Sequence, residues 1–263
     1  MSSTGIAGAL TLHIDLASEL AAACAESDSA PWFLNAAYPD LVNPALHRMG
    51  LPVLAGVGNA QVTHLALAAA HGVAAERVAV TAHHLHLGVA GEQSEALAWV
   101  DGRPVPDVTE ALRQQRSAPR SSVNAVGGLA AARVISALIG GPSSATALPG
   151  IGGDVGGYPA FVDEDGVSVR LPAGMTRAEM VEKNVVWSAL EGVTFDDEDG
   201  DPRVVFEEPV RKHLAPVLGS LALGYPLRDY AAVKAEFEVV RSDLRSRPSL
   251  ELPRVVDPGG AGS

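Results

Sequence analysis

Residues 51–86 read LPVLAGVGNAQVTHLALAAAHGVAAERVAVTAHHLH, and this stretch decides the fold. Leu51 to Ala55 is an apolar run of strand length that ends in Gly56-Val57-Gly58-Asn59. From Ala60 to His71 the Ala and Leu residues suit a helix, and Gly72 follows where a helix C-terminus commonly takes glycine. Arg77 to Ala82 alternates and is β-branched, which predicts a strand with His83, His84 and His86 at its carboxyl end. Strand, helix, strand in so short a span predicts a β-α-β unit with parallel strands.

The flanks extend the pattern. Leu12, Leu16, Leu20, Ala23 and Cys24 recur at helical spacing. Trp32-Phe33-Leu34 reads as a short buried strand ending at Asn35, and Tyr38-Pro39-Asp40 opens a helix through His47 that Gly50 closes. The first part is therefore α-β-α-β-α-β, and the expected fold class is α/β with a partial parallel Rossmann-like sheet. Downstream, Asp101-Gly102 predicts a hairpin turn. A short helix is expected over 108–115 and a long one, rich in Ala and Gly, over 123–139. Residues 148–159 read as a Gly- and Pro-rich loop, with a lid over a site slightly favoured over a plain connector. A hairpin around Asp163-Glu164-Asp165-Gly166 follows, then a helix from Arg177 to Leu190 with Thr176 and Glu179 as its capping box. A solvated acidic turn, the strand Arg203 to Phe206 and a final helix from Tyr230 to Leu244 complete an α+β part with antiparallel strands. The expected divisions are 1–58, the remnant of a nucleotide-binding domain, 59–244, a substrate-type domain, and 245–263, a disordered tail.

Composition narrows the function classes. The chain has 263 residues and a formal charge of −12, which repels phosphate backbones and anionic membrane surfaces, so neither nucleic acid nor membrane is expected as a partner. Cys24 stands alone, leaving no intrachain disulfide and no cysteine-based metal site. The N-terminus lacks the basic and apolar regions of a signal peptide, and the cytoplasm is the expected compartment.

Three histidines in four positions at a strand end are the strongest chemical feature, because imidazole exchanges protons near neutral pH or ligates metals. Continued alternation would send His84 and His86 to one side and His83 to the other. Asn59 and His64 lie on the helix that follows the Gly-containing turn, Asn124 opens the long Ala-rich helix, and Asp154 and Tyr158 belong to the glycine-rich loop. His64, His86, Asn124, Asp154 and Tyr158 are the candidates for binding substrate. His13, His47 and His213 carry no signal.

Asn35-Ala36-Ala37-Tyr38-Pro39-Asp40, Gly56-Val57-Gly58-Asn59 and Val80-Thr81-Ala82-His83-His84, taken in order, resemble the second half of the lactate/malate dehydrogenases and of their relatives, the NAD-dependent family 4 glycosidases. The resemblance places His84 at the catalytic histidine, His83 at the residue before it, and Asn59 at the group that orients the imidazole. It implies NAD or NADP as cofactor, with Asn35, Gly56 and Gly58 toward it. It also puts the first strands of the nucleotide domain before Met1, so the cofactor site is incomplete in this chain. Val62 stands where the dehydrogenases carry a carboxylate-binding arginine, which departs from the pattern for simple 2-hydroxy acids. The expected function is a dehydrogenase-like oxidoreductase acting on a small metabolite. The alternatives are a cofactor-independent lyase, cyclase or hydrolase using the same histidine cleft, with or without a metal held by His83, His84 and His86, or a non-catalytic subunit. A sheet edge left bare predicts a homo-oligomer or a partner chain.

Overall fold

The computed structural model describes residues 8–29, 31–88, 91–197 and 200–246. It is a mixed α/β chain. Helix α1 (Leu10–Glu26) precedes strand β1 (Leu34–Asn35), helix α2 (Pro39–Arg48), strand β2 (Ala55–Gly56) and helix α3 (Asn59–His71). β1 and β2 pair in parallel, with Leu34 opposite Ala55 and Asn35 opposite Gly56. Both strands are shorter than the apolar runs that announced them, and Trp32, expected inside, is exposed.

The parallel arrangement stops there. Strand β3 (Val78–Thr81) pairs antiparallel with β4 (Leu97–Val100), which turns through Asp101-Gly102 into β5 (Arg103–Pro104). Asp101 and Gly102 both adopt positive φ, as the Asp-Gly hairpin demands. The expectation of a three-stranded parallel sheet is thus corrected: local sequence set the strand, and β4 won its edge.

Helices α4 (Val108–Ala111) and α5 (Arg113–Ser117) lead to the long helix α6 (Arg120–Leu138). A second antiparallel sheet follows, of β6 (Ser144–Pro149), β7 (Gly157–Asp163) and β8 (Gly166–Val169). The expected loop over 148–159 is therefore mostly strand. Gly150, Ile151, Gly153, Val155 and Gly156 between β6 and β7 are buried, which rules out their acting as a lid. Helix α7 (Arg177–Glu191) starts at the foreseen capping box, with the Thr176 hydroxyl accepting from the Glu179 amide. Strand β9 (Val193–Asp196), β10 (Arg203–Phe206), helix α8 (Glu208–Leu218), strand β11 (Gly224–Pro226) and helix α9 (Tyr230–Ser246) close the chain, with β10 central in the third antiparallel sheet.

One core joins Leu10, Ile14, Leu41 and Leu46 to Val193, Phe206, Tyr225 and Phe237. The opening helices therefore share their interior with the last strands, across the expected division at residue 58. The expected disordered tail lies, from residue 247 on, outside the described residues.

Candidate functional site

β3 ends at Thr81, whose hydroxyl donates to the Gly157 carbonyl at 2.7 Å, and Ala82 bridges to Gly157. Beyond it the chain coils into one tight turn, His84–Leu87. The strand does not reach the histidines, so alternation does not govern them. His83 and His84 converge on one carboxylate instead of parting to opposite faces.

That carboxylate is Glu191, the last residue of α7. Its helix buries Met180, Asn184, Trp187, Ser188 and Glu191, a stripe with helical spacing. Asn184 donates to the Thr81 hydroxyl at 3.1 Å, fixing α7 along β3. His84 Nδ1 donates to Glu191 Oε1 at 2.5 Å, and His83 Nδ1 lies 3.0 Å from Oε2. The carboxylate is 1% exposed. Burial opposes its charge, yet the close approach of His83 and the hydrogen bond from His84 prevail and hold Glu191 down at about 2. Burial likewise opposes charge on His84, but the bond to Glu191 and the fields of Glu191 and Asp40 raise its pKa above 6.5. The sequence reading assigned the orienting role to Asn59; the structure gives it to Glu191.

His86 serves the scaffold. Its Nδ1 accepts from the His83 amide at 2.8 Å, its Nε2 donates to the Ser94 carbonyl at 2.8 Å, and its ring meets Trp187 edge-on at 4.6 Å. Burial pushes its pKa to about 4, so this ring stays neutral. Arg116 ties the same turn by donating to the His86 carbonyl at 3.2 Å while paired with Glu95.

Tyr38 and Asp40, which the sequence marked only as a helix start, complete the cluster. The Tyr38 ring packs edge-on against His84 with centroids 5.1 Å apart. Its hydroxyl is pushed well above its ordinary pKa by burial, then by the charges of Glu191 and Asp40. Asp40 is fully buried, and neither carboxylate oxygen finds a hydrogen-bond donor among the described residues. Burial raises its pKa above 3.8, against the pull of His83 and His84. A raised carboxyl favours the folded state below its unfolded value and costs stability as pH climbs past it. Asp40→Asn is therefore expected to raise the melting temperature by a few degrees at pH 7 and to change little below pH 3.8. Scanning calorimetry at both pH values checks this; a lower melting temperature at pH 7 would contradict it.

His84, Tyr38, Gly58, Asn59, Asn124 and Arg120 line a cavity of about 410 Å³. His13 also lines it; burial, then the His84 charge, lowers its pKa. No carboxylate belongs to this lining among the described residues, and α3 starts on it with no acidic residue in its first turn. Arg120, the His84 imidazole and that helix N-terminus are the groups that give the cavity its positive character within an acidic chain. A larger groove of about 540 Å³ between α1, α8 and α9 is mainly apolar among the described residues.

Of the sequence candidates, the structure brings His84, Asn59, Asn124 and Gly58 together, with His83 buried behind them. The others sit elsewhere. His64 is buried on α3, its Nε2 donating to the Ala75 carbonyl at 3.0 Å. Asp154 pairs with Arg177 at 2.7 Å, and the Tyr158 hydroxyl donates to the Val155 carbonyl at 2.5 Å. Asn35 donates to Asn43 Oδ1 at 2.8 Å and accepts from the Ala37 amide, closing its own turn. Gly56 is packed so tightly that a Cβ there would lie 2.2 Å from Pro39 Cβ. Among the described residues, no group of three or more His, Cys, Asp or Glu side chains has a metal-holding arrangement.

No protein-family model matches this chain, and no curated protein matches its sequence. The site therefore rests on its own chemistry.

Proposed function

We propose that the protein is an enzyme in which His84 acts as general acid and base on a small anionic metabolite. One observation carries this reading: an imidazole backed by a buried carboxylate faces an electropositive cavity of about 410 Å³, within the size range of metabolite sites. Glu191 fixes the ring through Nδ1, which leaves Nε2 toward the cavity and stabilises the imidazolium that forms when Nε2 takes a proton. Arg120 and the start of α3 supply the positive field for the substrate's anionic group. Asn59 and Asn124 supply hydrogen bonds that orient it.

A second reading keeps the oxidoreductase implied by the dehydrogenase resemblance. It is favoured by the parallel β1–β2 pair, whose following segments, Ala36 to Pro39 and Val57 to Asn59, border the cavity. Toward a nicotinamide cofactor, however, the residues of this chain do not fit: Asn35 is committed to Asn43 and Ala37, and Gly56 to Pro39. We derive no step through that cofactor.

The test compares wild type with His84→Gln on a panel of small hydroxy-, oxo- and ester-bearing acids, with products followed by NMR in D2O. At least one acid should be converted, with a rate loss of about 10²- to 10⁴-fold in the variant. A substrate turned over equally by both proteins would overturn the role of His84. Failure of every acid to bind or react would overturn the reading as a whole. Equilibrium dialysis showing NAD or NADP bound by the purified chain would favour the second reading.

A further inference from the structure

We infer that two copies of this chain pair in solution through α6, antiparallel about its midpoint, and that each copy covers the rim of the other's cavity. The helix has 19 residues and enough hydropathy to resemble a membrane span by length and composition, yet only 22% of its most apolar window is buried. Ala130, Val134, Ala137 and Leu138 face the core, while Leu129, Ile135 and Ile139 stand out at 66%, 49% and 78% exposure. From Ser121 to Ala132 the helix carries no charge, so this is a face on which two chains of net charge −12 can meet.

The charges at the helix ends select the occupant and its direction. Arg120 occupies the first position of α6, and the Glu164 carboxylate lies beside Gly140, just past its other end. Both charges have the wrong sign for the dipole of their own helix. An antiparallel second copy brings the basic start of each α6 to the acidic end of the other, a complementarity of fields that leaves Arg120 on its cavity wall.

Shape agrees with that orientation. Leu129 is the middle residue of α6, so pairing about the midpoint sets it near the two-fold axis, beside Gly128. By helical periodicity Ile135 leans to the side of the helix that carries Asn124 and Gly127. The two-fold axis therefore sets Ile135 of one copy over Asn124 of the other, at the rim of the catalytic cavity. Substrate access would then depend on the pair. This rests on the cavity described above but not on its chemistry.

Size-exclusion chromatography with light scattering tests the pairing on the full chain. Wild type should give twice the mass of the 27.1 kDa chain at micromolar concentration. Leu129→Glu and Ile135→Glu, both at exposed positions, should give monomers with unchanged circular dichroism. In a Cys24→Ser background, Leu129→Cys should form a disulfide-linked dimer under mild oxidation, and Asn124→Cys with Ile135→Cys should do the same. A monomeric wild type, a dimer indifferent to both glutamates, or capture of wild type by anionic or neutral phospholipid vesicles would overturn the proposal. Failure of both cysteine variants to cross-link would overturn the antiparallel arrangement. Activity lost in His84→Gln but with dimers intact would separate this claim from the catalytic one.

Discussion

Glu191→Gln is expected to cost on the order of 3 kcal/mol between pH 4.5 and 6.5 and to drop the His84 pKa below its wild-type value. The size follows from the fall of the Glu191 carboxyl from 4.5 in an ordinary setting to about 2 in the fold. A depressed carboxylate stabilises above its unfolded pKa, and that contribution disappears as pH falls toward the folded value. The Glu191 contribution is thus complete above pH 4.5 and fades toward pH 2. His84 is the mirror case. Its raised pKa gives stability that is complete below 6.5 and is lost as pH rises through the folded value. These are one interaction seen from two sides, and its full effect belongs to the interval where glutamate is ionised and histidine protonated.

The amide keeps the shape of the carboxyl and removes its charge. The variant should therefore show a flatter stability profile between pH 2 and 4.5, read from urea midpoints across the range. NMR titration of the His84 ring protons gives the second readout, and both must move together. A variant as stable as wild type at pH 5.5, or a His84 titration left in place, would remove Glu191 from its role.

The sequence made much of this legible, for reasons visible in particular residues. Asp101-Gly102, Gly72 and the Thr176–Glu179 box are local signals, and each sits where its chemistry demands. The carboxyl end of β3 was equally readable, and it delivers His84 to the cavity. Strand pairing was not, because β3 can form either with a parallel neighbour or with β4, and the Asp101-Gly102 turn joins β4 to β5 without bearing on β3. Glu191 was hidden twice over. The expected helix stops at Leu190, one residue short, and the apolar Val185, Val186 and Leu190 lie on the exposed face rather than on the stripe that carries Glu191. A signal did exist. Met180, Asn184, Trp187 and Glu191 share one stripe at intervals of four, three and four residues, so the acid falls in line with a buried tryptophan. A glutamate at the very end of a helix also opposes the dipole, and such a placement asks for a partner. His86 misled for the opposite reason. Its spacing looked functional, but both ring nitrogens are spent on the backbone that shapes the turn.

Gly192→Ala is expected to destabilise the protein by roughly 2–5 kcal/mol through two separable effects. Gly192 ends α7 with φ of +109°, a conformation that costs an alanine about 1–2 kcal/mol. Its added Cβ would also lie 2.3 Å from Val210 Cγ2, where α8 packs, and overfilling a core costs about 1–3 kcal/mol. The residue has little freedom to retreat. Its amide donates to the Ser188 carbonyl at 2.9 Å, and its carbonyl accepts from the Glu207 amide at 2.9 Å. Val210→Ala should relieve the clash but not the backbone strain, so the double variant should recover only part of the loss. A double-mutant cycle by urea unfolding measures that part, with coupling of about 1–3 kcal/mol. Because Gly192 adjoins Glu191, the same alanine should displace the carboxylate and move the His84 titration toward that of Glu191→Gln. A loss under about 1 kcal/mol, against the expected sum of strain and overfilling, would mean that the α7–α8 junction yields. The fixed placement of Glu191 between two imidazoles would then need another origin.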